Sequence, residues 1–204
     1  MSDSFSAAFL QETARIANAI DPATIEAVAT GLATCRDGGG RLFVVGVGGG
    51  AGHASHAVCD FRKLADFEAY TPVDNVSELT ARINDEGWET SFSAWLSGSR
   101  LSSRDALLVF SVGGGSREHA ISLNVVAAVE LAASVGAAVY GVVGRSDGVT
   151  ALTADACVVV PAPPDRLTPH TEAWQAVVWH LLVSHPALAV SPTKWESVDA
   201  AAGS

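Results

Sequence analysis

The stretch RLFVVGVGGGAGHASHAVCD, residues 41–60, decides the fold class. It opens as a continuous apolar run, reaches a cluster of glycines, and then changes to the spacing of a helix. A short apolar run without alternation fits a strand buried on both faces of a parallel sheet. Working outward, three more runs share this character: ALLVFSV (106–112), which leads into GGGS; AAVYGVVG (137–144), which leads into a polar turn; and ACVVVP (156–161), which runs on into prolines. A weaker strand is expected around 67–70. Helical patterns lie between. The clearest spans 116–135, where Ile121, Val125, Val129 and Ala132 fall on one face. A last helix is expected from about 169 to 184, stopped by Pro186. Upstream, Asp21-Pro22 pairs an N-cap with a first-turn proline, so one helix ends near Ala19 and the next starts at Pro22. Strands alternating with helices predict a parallel sheet covered on both sides, with ligands beyond the carboxyl ends of the strands. The expectation is one α/β domain over 1–186, in three layers. It has a five-stranded parallel sheet, helices on both faces, an N-terminal helical segment over 1–37 and an irregular tail over 187–204.

Composition narrows the function. Of 204 residues, 49% are hydrophobic and 12 Lys and Arg stand against 22 Asp and Glu, for a net charge of −10. That balance argues against nucleic acid and anionic membranes as partners. The mean hydropathy of +0.29 is too apolar for disorder. No apolar run reaches the roughly 18 residues of a membrane span; the most apolar stretch, 120–144, is broken by Asn124, Glu130, Ser134 and Gly136. The opening MSDSFSAAFLQE has neither the basic nor the apolar segment of a signal peptide. Cys35, Cys59 and Cys157 are odd in number and far apart, which fits a reduced, cytoplasmic protein.

Two glycine-rich loops carry the functional signal: GVGGGAGHASH (46–56) and SVGGGSRE (111–118). Each follows a strand and precedes a helix pattern. Glycines let the backbone approach a ligand, and N–H groups at a helix start favour an anion. Two such loops in one chain point to anion binding more strongly than to plain turns. Gly46, Gly48 and Ala51 also fit the G-x-G-x-x-G/A dinucleotide fingerprint, with Glu68 near the place of a ribose-binding acid. A nicotinamide-dependent enzyme is therefore an alternative, one that leaves the second loop unused. Just after the first loop, His56 and Asp60 are four apart and share a helix face, with His53 nearby. On the last helix Glu172 and His180 are eight apart, about 80° around the axis and about 12 Å along it, so Glu172 fits a common ion less well than the others. Spacing alone favours a plainer reading: an exposed His–Asp pair, and a His180 packed among Val177, Val178, Leu181 and Leu182.

Four segments taken together resemble the phosphoheptose isomerases of the sugar-isomerase (SIS) superfamily: GVGGGAGHASHAVCDFRK (46–63), NDEGWETSF (84–92), VFSVGGGSREHAI (109–121) and HTEAWQAVVWHLL (170–182). The resemblance implies a five-stranded parallel sheet and a homotetramer whose active sites are shared between neighbouring subunits. The implied reaction interconverts sedoheptulose 7-phosphate and D-glycero-D-manno-heptose 7-phosphate through an enediol, with zinc in some members. Carried onto this chain, it makes Asp60 and His180 the catalytic acid/base pair and His56, Asp60, Glu172 and His180 a metal set. It gives sugar and phosphate contacts to Gly49, Gly50, Asn84, Asp85, Ser111, Gly113, Gly114, Ser116 and Glu172. The chain departs from the family pattern at Val47 and Gly50, where the family has Asn and Ser, and at Val112 and Gly113, which lack hydroxyls. Asp60 is shorter than the family's glutamate. These departures suit a second reading, a non-catalytic SIS module that binds a sugar phosphate. The organising expectation is that both loops converge on one pocket, into which the middle of the last helix projects His180.

Overall fold

A computed structural model describes residues 4–194 and 196–198. Trp195, expected to serve packing or a subunit contact, lies outside the described residues, as do 1–3 and 199–204. The chain begins with α1 (Phe5–Ala19) and α2 (Pro22–Asp37), separated where the Asp21-Pro22 pair predicts. The Asp21 carboxylate accepts from the Ala23 amide, and Pro22 fills a position whose N–H would find no partner in the helix. Next come β1 (Leu42–Gly46), α3 (Gly49–Leu64) and β2 (Ala69–Tyr70). After them follow α4 (Val76–Glu86), α5 (Ser91–Gly98), β3 (Ala106–Ser111) and α6 (Leu123–Val135). The chain closes with β4 (Ala138–Val143), α7 (Val149–Thr153), β5 (Ala156–Val159) and α8 (Leu167–Ser184).

The five strands are all parallel, in the order β2-β1-β3-β4-β5. β1 and β3 are buried at every residue. Alternation still sorts their side chains between two cores. Val44, Leu108 and Phe110 pack with residues of α2, α3 and α8 on one face. Phe43, Val45, Leu107 and Val109 pack with α5 and α6 on the other. The chain moves outward from β1 to β2, then returns to place β3 on the other side of β1. The carboxyl ends of β1 and β3 therefore flank the point where the winding reverses, which opens a crevice for ligands. Both glycine-rich loops leave from this point.

The structure corrects the expected start of one helix and adds detail elsewhere. The helix expected from residue 116 starts only at Leu123. Residues 116–121 instead form a small tab closed by two backbone bonds between Ser116 and Ile121, at 2.9 and 3.0 Å. Ala120 and Ser122 sit at positive φ, 51° and 50°, which no helix accommodates. Residues 187–193 carry no helix or strand, yet the start of the tail is fixed to the body of the domain. Arg36 donates to the carbonyls of Ala187 and Leu188, Val190 donates to Leu64, and Leu188 is buried. Between 70 and 105 the chain forms α4 and α5; the Asn75 side chain caps α4 by accepting from the Glu78 amide. Among the described residues no helix is long and apolar enough to cross a membrane.

Candidate active site

The two loops are built differently. In the first, glycine is needed for packing. A side chain at Gly46 would overlap the backbone of Gly50, and one at Gly50 would overlap the carbonyl of Phe110 on β3. The amides of Gly50, Ala51 and Gly52 already donate to Val47 and Gly48. A side chain at Gly49 would strike the Glu172 carboxylate, so the protein's own acid lies against the start of α3. A helix N-terminus favours negative charge, and here that place is held from within. The positions of Gly49 and Gly50, expected to touch substrate, thus have no room for a side chain against Glu172 and β3.

In the second loop the backbone is turned outward. Gly114 and Gly115 have φ of +72° and +81°, a region only glycine enters freely. The Gly114 carbonyl accepts from the Thr150 amide and hydroxyl, and the Gly115 carbonyl accepts from Val149, so both face α7. In a trans peptide the next N–H points the opposite way. Among the described residues nothing accepts from the Gly115 amide, whose peptide partner is the Gly114 carbonyl. Ser111 holds the turn: its hydroxyl oxygen accepts from the Gly114 amide at 3.0 Å. Here lies a cavity of about 310 Å³, walled by Gly113, Gly115 and Ser116 together with His119, Arg145 and Asp147. Ser111 and Gly114 therefore support the cradle, while Gly113 and Ser116 line it.

The ionisable cluster lies elsewhere. α3 and α8 leave the same end of the sheet and pack side by side, Glu172 level with Gly49 and His180 level with His56. Ligand atoms of His56, Asp60 and His180 all fall within 4.8 Å of one another. His56 Nε2 is 3.7 Å from an Asp60 carboxylate oxygen, with His56 61% exposed and Asp60 15%. His180 Nδ1 lies 2.7 Å from the Ala176 carbonyl, which can only accept. The ring proton therefore sits on Nδ1, and Nε2 keeps its lone pair for a metal or a proton. Trp179 is buried beneath, stacked on His180 at 3.4 Å and 4.7 Å from the His56 ring. Glu172 is not in this group, since seven residues of helix set the His56 level about 10 Å below Gly49. The expected fourfold metal set thus contracts to three.

Two imidazoles and a carboxylate in contact range form a set that both binds divalent metal and moves protons. The second loop, with its cavity and a Gly115 amide left free among the described residues, suits a phosphate group.

No protein-family model matches the chain. It is 31% identical to the phosphoheptose isomerase of Rhodospirillum rubrum over 166 residues, 79% of this chain and 82% of that one. The chain belongs to the phosphoheptose isomerase family. It is also 31% identical to the lincomycin biosynthesis protein LmbN of Streptomyces lincolnensis, over 86% of this chain and 66% of that longer protein. The phosphoheptose isomerase GmhA structure from Neisseria gonorrhoeae superimposes with a TM-score of 0.76 over 88% of this chain and 96% of that one, at 24% identity, which establishes the shared fold.

Within this family fold, two sequence expectations change. Cradle and cluster do not converge inside one chain: the cavity at the second loop is lined by neither His56, Asp60 nor His180. Asn84 and Asp85 lie exposed on the last turn of α4, bonded to one another at 2.7 Å, and do not reach that cavity either. The dinucleotide alternative loses its acid. Glu68 precedes β2, and its carbonyl accepts from Leu42 at the amino end of β1, the end opposite the glycine loop. A pyrophosphate at α3 would also face Glu172. Sequence reasoning missed Trp179 as the floor of the cluster. Its place beside His180 was a usable signal, since the residue before an outward histidine on a packed helix tends to point inward.

Proposed function

We propose that the protein is an aldose–ketose isomerase acting on a seven-carbon sugar phosphate, sedoheptulose 7-phosphate in the ketose direction. The observation that carries this is the grouping of His56, Asp60 and His180, whose ligand atoms lie within 4.8 Å of one another. Isomerisation moves a proton between C1 and C2 through an enediol and needs a base at carbon and an acid/base at the oxygens. Asp60, mostly enclosed between α3 and α8, is the base, and His180 Nε2 shuttles the proton at oxygen. The His56, Asp60 and His180 donors also fit zinc, which when bound would stabilise the developing enediolate charge.

The phosphate belongs at the second loop, where the Gly115 amide, unpartnered among the described residues, lies at the cavity. Since the cluster does not line that cavity in one chain, the working site is completed by a neighbouring copy, in line with a homotetramer of shared sites. The chain is read as a single domain over 1–186 with a short C-terminal extension, acting in the cytoplasm.

The test is aldose formation from sedoheptulose 7-phosphate. Asp60→Asn and His180→Ala are each expected to lower kcat by about a hundredfold or more at unchanged Tm. Near-normal turnover in both removes the assignment. A wild-type protein that binds the sugar phosphate without turnover supports the non-catalytic module instead.

A further inference from the structure

The cradle at the second loop lacks the hydroxyls of Val112 and Gly113, yet two side chains converge on it from outside that motif. Arg145 comes from the loop after β4, and its Cδ lies 3.9 Å from the position a Gly113 Cβ would take. Its guanidinium is braced by Asp147, Nε to Oδ1 at 2.8 Å and Nη2 to Oδ2 at 2.5 Å. That brace uses one edge of the fork and leaves its other N–H donors open. His119 comes from the tab. The Ser116 hydroxyl oxygen accepts from the His119 amide at 3.2 Å and lies 3.1 Å from Nδ1. Ser116 thus engages Nδ1, which leaves Nε2 free to meet an anion as a donor when it carries a proton. The tab is fixed by its two backbone bonds and by the Arg117–Glu130 ion pair, so His119 is not on a loose loop. Glu118 also lines the cavity; with Asp147 it gives the site two carboxylates, which makes the arginine charge necessary for any anion to enter.

We infer that Arg145 and His119 are the side-chain anchors of the substrate's phosphate, with Asp147 and Ser116 positioning them. They supply the charge and directed donors that Val112 and Gly113 do not. The identity of the phosphate as a sugar's rests on the isomerase reading; the anion site itself does not.

The experiment therefore has two arms. In the first, inorganic phosphate is titrated into the full chain and Tm and calorimetric affinity are followed. Phosphate is expected to raise Tm of the wild type. Arg145→Ala and His119→Ala should each weaken its Kd by about tenfold, the size of one lost charge-assisted hydrogen bond, with Arg145→Lys falling between. In the second arm, KM for sedoheptulose 7-phosphate should rise by a similar factor in these variants with a much smaller change in kcat. Asp147→Asn should raise KM in the same direction, and Asp60→Asn should show the reverse split. Both anchors are exposed, so unliganded Tm should hold, and Arg145→Lys covers the case in which alanine disturbs the loop. Phosphate that binds wild type and variants equally, or fails to bind wild type, overturns the inference. Phosphate binding that weakens as expected without any isomerisation upholds it and overturns the isomerase reading instead.

Discussion

The two glycine-rich loops share a sequence grammar and differ in use. Both follow a fully buried strand, and both contain three consecutive glycines. In the first loop the glycines let α3 close onto β3, the Gly50, Ala51 and Gly52 amides bond within the helix start, and Glu172 lies against it. In the second, the carbonyls are drawn toward α7 and the cradle stays open beside a cavity. A glycine-rich turn is an anion site only when its donors are left over. That depends on what packs behind the carbonyls and on whether a protein acid has taken the place.

This contrast can be broken most forcefully at Gly50. Gly50→Ala should cost about 3 kcal/mol of stability, since the new methyl meets backbone that cannot yield. Gly113→Ala should cost no more than about 0.5 kcal/mol, because its methyl meets only the Arg145 side chain at an ordinary contact distance, and should act on phosphate affinity instead. Denaturant melts of the two variants check the pair, and similar losses would erase the distinction. A smaller effect is expected at Glu172. Removing its charge by Glu172→Gln should cost about 0.5 kcal/mol, the scale of one carboxylate beside a helix N-terminus.

The smallest effect concerns pH. Burial holds the His53 imidazole below its usual range, with the charge and backbone of Glu172 only partly opposing it. Its folded pKa is thus lower than its unfolded one, near 6.5. Below that pH the unfolded chain takes up a proton that the folded chain resists, so stability is full above pH 6.5 and declines as pH falls through it. Tm measured at pH 7.5 and 5.5 should show a drop in the wild type that His53→Gln makes smaller.

Much of the fold was legible because its signals are local. Continuous apolar runs marked all four long strands, and Asp21-Pro22 placed the break between α1 and α2 within a residue or two. The misses have equally specific causes. The apolar spacing after Ser116 reads as helix, yet the Ser116–Ile121 bonds and two positive φ values hold six residues out of it. β2 is only two residues long, too short to show which side of it Glu68 occupies. At the site, the four-residue spacing exposed the His56–Asp60 pair. Joining His180 to it needed the family resemblance, and His119 and Arg145 were not singled out at all. They come from turns whose paths no periodicity encodes.

What the sequence determined alone is the layered α/β plan, the strand-to-loop positions where a ligand must sit, and the side chains able to move protons or bind metal. These follow from burial periodicity and from residue chemistry, both properties of short segments. What the tertiary structure decided is which glycine loop stays open, that α3 and α8 run side by side so His180 meets Asp60, and that Glu172 lies against α3 rather than with the metal donors. Those outcomes depend on the register of two helices and the direction of a few carbonyls, set by contacts between segments far apart in sequence.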